Sequence, residues 1–294
     1  MIFKKSNRQA VLIALGLALT AGGCVAGHEN GRDAIAVSFE PQAWMVKEIA
    51  GDDIDVVTLL PAGSDPEVYQ PSVSTLRQLG HASAYLTLGT QGFEQSLANN
   101  VSDNFPDIRV IDSAAGIEKI YGGHGHEEKE SNGGHGDNFD PHMLTSIRNC
   151  ALLATSTAET LAQLYPDRSE RYLTAGKELA SRLRSLDDSI RRMGIEGKTV
   201  VIRHPSLSYY SRDYGVRSIS LSDNGKEVSP MQMKNRIDEA VSTRPGVMVV
   251  EKEHLSSSDS DIARQLGCDT IQVSLNSAGW LNDIMRISHE IDRD

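Results

Sequence analysis

The residues best suited to chemistry in this sequence are its nine histidines, three of which lie in one glycine-rich segment. His124, His126 and His135 fall within residues 121–139, YGGHGHEEKESNGGHGDNF, where no apolar residue stands between the aromatic ends. This composition cannot bury enough surface to offset the entropy of ordering, so it predicts a mobile surface loop. Imidazole binds zinc, copper, nickel and iron, and a flexible tract can bind such ions weakly and release them quickly. The segment is predicted to gather metal; a neutral polar insertion is the alternative.

Two further histidines stand where the backbone could hold a ligand in place. His142 follows Asp140-Pro141 at a predicted helix start, and the proline restricts the chain there. His204 comes just after a predicted buried strand, at the edge where open α/β sheets bind ligands. Either histidine alone could equally be a cap, surface or packing residue. The neighbouring histidine-rich loop favours a ligand role.

Carboxylates occupy the corresponding edges of other predicted strands. Glu67 lies in a turn-rich loop after the second strand, where an exposed carboxylate is the common alternative. Glu251 and Glu253 end another strand and could complete a site or orient a ligand imidazole. Ser274 ends the last strand and is a poor zinc ligand. The remaining histidines are expected to face solvent or to serve packing: His28, His81, His254 and His289.

Short β-rich runs alternate with helical patterns along the chain, which predicts an α/β protein. The predicted strands are Ile35–Phe39, Asp55–Leu60, Ala84–Leu88, Arg109–Ile111, Thr199–Arg203, Arg217–Leu221, Val247–Glu251 and Thr270–Val273. The predicted helices between and after them are Gln42–Ala50, Val73–Gly80, Phe93–Val101, Leu207–Tyr214, Met231–Thr243, Ser258–Leu266 and Leu281–Ile291. Two units of four strands each are the simplest arrangement.

A long helical region separates the two halves, from His142 to about Met193, and is interrupted at Pro166. Its second part is amphipathic and lacks the glycine and serine of a flexible linker, so it predicts a rigid strut. The predicted organisation is an N-terminal lobe over 33–165, a linking helix over 166–196 and a C-terminal lobe over 197–294.

The N-terminal residues predict export. Three basic residues precede an apolar run that is too short to cross a bilayer, so residues 1–23 read as a signal peptide. Cys24 follows small residues that resemble a lipoprotein cleavage box, with residues 24–32 as a tether; an ordinary signal peptide is the alternative. The net charge of −11 disfavours nucleic acid and concentrates cations. Cys150 and Cys268 are expected to be buried thiols without a bridge.

These residues together resemble the solute-binding proteins of zinc and manganese ABC transporters, the cluster A-I family, in its zinc-uptake branch. The segments that carry the resemblance span the mature chain: PAGSDPEVYQP (61–71), FDPH (139–142), HPSLSYYSRDYG (204–215) and GKEVSP (225–230). The resemblance implies two (β/α)4 lobes joined by one long rigid helix, with the metal between the lobes. It also implies metal ligands at Glu67, His142 and His204.

Two positions depart from the family pattern. Glu67 stands where the family has its first histidine, and Ser274 stands where many members have an aspartate. The missing aspartate disfavours a manganese-type site, whereas Glu67 weakens the preference for zinc. Two imidazoles, a carboxylate and a water or mobile fourth ligand still suit Zn²⁺.

The implied function is the extracytoplasmic capture of Zn²⁺ and its delivery to a permease and ATPase, by a lipid-anchored protein expected to be monomeric. A manganese-binding component of the same transporter class and a lipid-anchored metal-binding adhesin remain alternatives. A metal-dependent hydrolase is disfavoured, because no His-Glu-x-x-His helix occurs in the sequence. We therefore expect no enzymatic activity.

Overall fold

The structure, a computed structural model, describes residues 33–90, 92–121, 139–223 and 228–293. The predicted signal peptide and tether, Cys24, and the loop histidines His124, His126 and His135 lie outside the described residues.

Strands and helices alternate through the described part of the chain. The strands are β1 Asp33–Val37, β2 Ile54–Thr58, β3 Ala84–Thr87, β4 Arg109–Asp112, β5 Thr199–Ile202, β6 Arg217–Ser220, β7 Val247–Glu251 and β8 Asp269–Val273. The helices are α1 Glu40–Ala50, α2 Val73–Leu79, α3 Phe93–Asn104, α4 Ile147–Leu164, α5 Ser169–Arg191, α6 Ser208–Tyr214, α7 Pro230–Thr243, α8 Asp259–Leu266 and α9 Trp280–Asp292.

The strands form two parallel sheets of four, ordered β2-β1-β3-β4 and β6-β5-β7-β8. We call the part that contains β1 to β4 the first lobe and the part that contains β5 to β8 the second lobe. The predicted fold of two α/β lobes is confirmed. In each sheet the chain leaves the first strand to one side and returns on the other, so each lobe has a topological switch point, between β1 and β3 and between β5 and β7. Ligands of open α/β sheets bind beyond the carboxyl ends of the strands at such points.

The helical region between the sheets consists of two helices, interrupted at Pro166 as the sequence predicts, and the second of them is the predicted joining helix. The helix α4 ends at Leu164, the chain turns through Pro166–Arg168, and α5 runs back along α4. Gly176 of α5 lies so close to Ala158 of α4 that a methyl group at position 176 would overlap the Ala158 side chain. The absence of a side chain at Gly176 therefore permits the close helix contact.

One continuous apolar core joins the two lobes. Its buried members include Ile35 of the first sheet, Leu183 of α5 and Ile202 of the second sheet. The rings of Trp44 on α1 and Trp280 on α9 meet edge to face, with centroids 5.2 Å apart. A smaller cluster lies on the other face of the second sheet, under α7 and α8. The lobes thus share packed apolar contacts in addition to the connecting chain.

Within the described ranges, no helix has the length and apolar character needed to cross a bilayer.

Candidate metal centre

The loop after β2 presents Glu67 to the second lobe. Asp65 accepts a hydrogen bond from the backbone N–H of Glu67 at 2.8 Å, which fixes the turn. Gly63 has a φ of +73°, a conformation that side chains disfavour, so the turn before Glu67 depends on glycine. The Tyr69 ring packs on Phe93, with centroids 5.6 Å apart, and fastens the end of the loop to the first lobe.

Asp140 holds His142 at both its backbone and its side chain. One carboxylate oxygen accepts from the His142 backbone N–H at 2.8 Å and lies 2.9 Å from its Nδ1. The second lobe secures this arrangement, because the Tyr209 hydroxyl donates to the Asp140 carbonyl at 3.0 Å. Nδ1 is thereby occupied, and Nε2, which lies 3.1 Å from Nε2 of His204, remains available to a metal. The sequence motif had drawn attention to His142 but not to this role of Asp140.

The backbone at His142 differs slightly from the predicted helix start. A single tight turn, Met143–Thr145, follows His142, and the regular helix α4 begins only after Ser146. The Ser146 side chain accepts from the backbone N–H of Asn149 at 3.0 Å and so caps α4.

His204 lies just beyond the carboxyl end of β5, as predicted. It is 2% exposed, and its backbone carbonyl accepts from the Ser206 N–H at 2.8 Å. Its Nδ1 finds no hydrogen-bond partner among the described residues, whereas its Nε2 faces the other candidate ligands.

The three predicted ligands meet between the lobes. Glu67, His142 and His204 each offer a coordinating atom, and these atoms all lie within 4.8 Å of one another. Nε2 of His204 is 3.1 Å from Nε2 of His142 and 3.4 Å from Oε1 of Glu67. Tetrahedral zinc holds its nitrogen and oxygen ligands at about 2.0–2.2 Å, which spaces them by roughly 3.3 Å. The cluster is therefore close to the dimensions of a zinc site.

Hydrogen bonds and charges set the protonation of this cluster. The hydrogen bond with His204 lowers the pKa of Glu67 below the usual carboxyl value, which keeps this side chain an anion. Burial acts to lower the pKa of His142, but the hydrogen bond and charge of Asp140 raise it above its ordinary value.

The two glutamates at the carboxyl end of β7, Glu251 in the strand and Glu253 just beyond it, have different surroundings. Glu251 is buried, and its Oε1 finds no hydrogen-bond partner within the described parts of the chain. Glu253 accepts a hydrogen bond from the Ser274 hydroxyl at 2.6 Å through Oε1. Neither glutamate belongs to the compact cluster of three.

His254 was expected to face solvent or to serve packing, and the structure places it against the site. Its ring stacks on His204, with centroids 4.3 Å apart and planes inclined by 18°. Its Nδ1 lies 3.8 Å from Asp65, in the loop that carries Glu67. The signal available in the sequence was its position directly after Glu251 and Glu253 at a strand edge.

The two ends of the histidine-rich segment are paired in the structure. Tyr121 and Phe139 form an isolated antiparallel bridge, and their rings meet edge to face with centroids 6.4 Å apart. The chain thus enters and leaves residues 122–138 at a single point on the first lobe.

Both cysteines were expected to be buried thiols without a bridge. Cys150 is buried, whereas Cys268 is only partly buried; among the described residues neither forms a disulfide.

Two α/β lobes with two histidines and a carboxylate between them define a class of metal-binding proteins. Residues 35–283 match the family described as "Zinc-uptake complex component A periplasmic", and the chain belongs to that family. Membership of a family of uptake-complex components agrees with the prediction that the chain is not an enzyme.

Solved structures and a curated relative give the same assignment. A crystal structure of ZnuA is 27% identical with a TM-score of 0.79, over 90% of this chain and 99% of that one. A ZnuA deletion mutant with zinc bound is 27% identical with a TM-score of 0.77, over 89% and 97%. The zinc-binding lipoprotein AdcA of Streptococcus pneumoniae is 24% identical over 207 residues, 68% of this chain. The match spans 41% of the length of that relative.

Proposed function

We propose that this chain is the exported solute-binding component of a metal-ion ABC transporter, which captures Zn²⁺ and delivers it to a membrane permease and its ATPase. The observation that carries this function is the convergence of Glu67, His142 and His204 between the lobes, with coordinating atoms within 4.8 Å. Membership of a zinc-uptake family and the similarity to a zinc-bound ZnuA variant support it.

The chemistry of the three side chains favours zinc. Two imidazole nitrogens and one carboxylate oxygen form a ligand set common to zinc sites, with room for a fourth ligand. Manganese prefers carboxylate, carbonyl and water oxygens. The two histidines therefore support zinc as the ion carried, with a manganese-binding component as the alternative.

Release to a permease requires a site that can open. Glu67 is exposed at the rim, whereas His204 is buried, so Glu67 is the ligand best placed to leave first. The shared core at Trp44 and Trp280 opposes wide separation of the lobes. We infer that metal loss changes side chains and loops rather than lobe orientation. A solution-scattering profile that changes strongly on removal of zinc would contradict this inference.

The chain is proposed to work at the outer face of a membrane, as a monomer. The family description is periplasmic, and AdcA is a lipoprotein. Cys24 is the proposed lipid attachment site, and its acylation would appear as added lipid mass on the N-terminal cysteine of the mature protein.

Calorimetric competition tests the metal preference. Metal-stripped protein titrated with zinc should bind one ion tightly, and zinc should displace bound manganese. Displacement of zinc by an equal concentration of manganese would overturn the assignment to zinc. A Glu67→Ala variant titrated alongside should bind zinc more weakly.

A growth experiment separates transport from adhesion. A strain that lacks this protein should grow poorly when zinc is scarce, and loss of the partner permease should cause the same defect. If loss of the permease leaves growth unchanged at scarce zinc, the uptake function fails and the adhesin alternative gains support.

A further inference from the structure

Glu251 is deeply buried, and one of its carboxylate oxygens has no hydrogen-bond partner among the residues that the structure describes. The residue is only 5% exposed, and its Oε1 meets no hydrogen-bond donor in the described part of the protein. A buried carboxylate oxygen without a hydrogen-bond partner is costly, because it loses its hydration without compensation. A cation is the ligand that such an oxygen would bind most favourably.

Glu251 ends the strand next to the one that His204 follows. The strands β5 and β7 are neighbours, and their register pairs Ile202 with Val249. Two residues further along each chain stand His204, just beyond the end of β5, and Glu251, the last residue of β7. This point lies between β5 and β7, the topological switch point of the second lobe.

Glu251 is also close enough to His142 for the two side chains to interact electrostatically. This interaction agrees with the placement of Glu251 at the strand edge.

Glu253 has a different environment, although it is only two residues away. Its Oε1 is held by the Ser274 hydroxyl at 2.6 Å, its Oε2 finds no partner among the described residues, and the residue is only partly buried. Ser274 in turn lies just beyond β8, at the neighbouring strand edge. This hydrogen bond directs one oxygen of Glu253 toward the end of β8. Glu253 therefore serves as the control for substitutions of Glu251.

We propose that Glu251 supplies the fourth metal ligand through Oε1 and completes a site of two histidines and two glutamates. This inference rests on the proposed function, since it assumes that His142, His204 and Glu67 bind the ion. Two carboxylates would neutralise Zn²⁺, and the ion would in turn compensate the buried charge of Glu251. The position of Ser274, where many family members have an aspartate, then need not supply an oxygen ligand, because Glu251 on the adjacent strand supplies it.

Zinc affinity measured by chelator competition on Glu251→Gln and Glu253→Gln tests the proposal. The Glu251→Gln variant should lose at least about tenfold in affinity, and Glu253→Gln should lose less than about threefold. Metal-stripped Glu251→Gln should unfold at a urea concentration no lower than wild type, because it replaces a buried carboxylate by a neutral side chain of the same shape. If Glu251→Gln does not fold, Glu251→Asp provides the same comparison. Equal affinities of Glu251→Gln and Glu253→Gln would overturn the proposal.

A crystal structure of the zinc-loaded protein gives the direct test. The proposal requires Oε1 of Glu251 at about 2.0–2.2 Å from the ion. An oxygen more than about 3 Å from zinc, with the carboxylate bonded instead to Nδ1 of His204, would overturn it. In that outcome the proposed function survives. Zinc bound equally well by wild type and by His142→Ala would instead show that the proposed site itself is wrong.

Discussion

Nε2 of His142 and Nε2 of His204 lie 3.1 Å apart, although 62 positions separate the two histidines in the sequence. One residue precedes α4, and the other follows β5 of the second lobe. Two imidazoles on one tetrahedral zinc ion would be separated by about 3.3 Å. The pair is therefore already near its ligand spacing, and binding requires only a small outward shift of the rings.

Replacing either member of this pair should abolish tight zinc binding. Changes to residues that only orient the ligands weaken metal affinity by up to roughly 100-fold. We expect His142→Ala and His204→Ala each to weaken zinc affinity by more than that. His81→Ala is the matched control, because His81 is exposed at the end of α2. Isothermal titration with a competing chelator measures all three. Wild-type affinity in both site variants would show that the ion binds elsewhere.

Asp140 should act through His142 without touching the ion. Its carboxylate occupies Nδ1 of His142 and fixes both the ring orientation and the tautomer. We expect Asp140→Ala to lower zinc affinity by about 10–100-fold while one ion still binds per protein. The stoichiometry distinguishes this role from that of a ligand. An affinity equal to that of wild type would exclude the orienting role.

The histidine-rich segment should be removable without damage to the main site. Its ends pair at Tyr121 and Phe139, and a two-residue Asn-Gly turn can close such an antiparallel bridge. Replacing residues 122–138 by Asn-Gly should leave the affinity of the His142 and His204 site within about threefold.

The same replacement should lower the number of weakly bound zinc ions and slow growth at scarce zinc. A control that keeps the segment but changes His124, His126 and His135 to Ser separates the imidazoles from segment length. If this control retains the weakly bound ions, the histidines are not the capture groups.

Gly176 should be intolerant of any side chain. A methyl group there would overlap Ala158 across the contact between α4 and α5. We expect Gly176→Ala to destabilise the metal-stripped protein by about 1–3 kcal/mol, in the range of overpacked cores. Gly116→Ala is the control, because nothing lies within 4 Å of a methyl group at that position. Urea unfolding of the two variants measures the difference, and equal midpoints would contradict the close contact.

Cys150 should resist alkylation until the protein unfolds. Burial raises the pKa of its thiol to about 12, so at pH 8 only about one molecule in ten thousand carries the reactive thiolate. The pKa is raised, so reactivity should increase only as the pH climbs toward that value. Iodoacetamide at pH 8 should label the partly buried Cys268 first, and peptide mass spectrometry should find Cys150 labelled only in urea. Equal labelling of both thiols in the folded protein would contradict the burial of Cys150.

The sheets were well predicted because their strands carry local signals. The predicted strand Val247–Glu251 matches β7 at both ends, and Thr199–Arg203 exceeds β5 by one residue. Helix starts were less accurate. The helix α1 begins at Glu40 rather than Gln42, because a proline fits the first turn of a helix and does not delay it.

The sequence predicted only part of what the structure brings together at the candidate site. Glu67, His142 and His204 could be singled out because each follows a strand or turn that determines its placement. The stacking of His254 on His204 depends on how two loops meet in space, and no periodicity records that contact. The different surroundings of Glu251 and Glu253 likewise depend on the position of Ser274, just beyond the neighbouring strand β8.

The Tyr121–Phe139 bridge also makes this protein suitable as a framework for a zinc sensor. A folded reporter domain whose termini lie close together could be inserted between these two residues, because the chain there leaves and rejoins the first lobe at one point. Only two residues lie between Phe139 and His142, so strain from the insert would reach the proposed metal ligand through a short path. An optical reporter at this position would convert zinc capture into a change in emission.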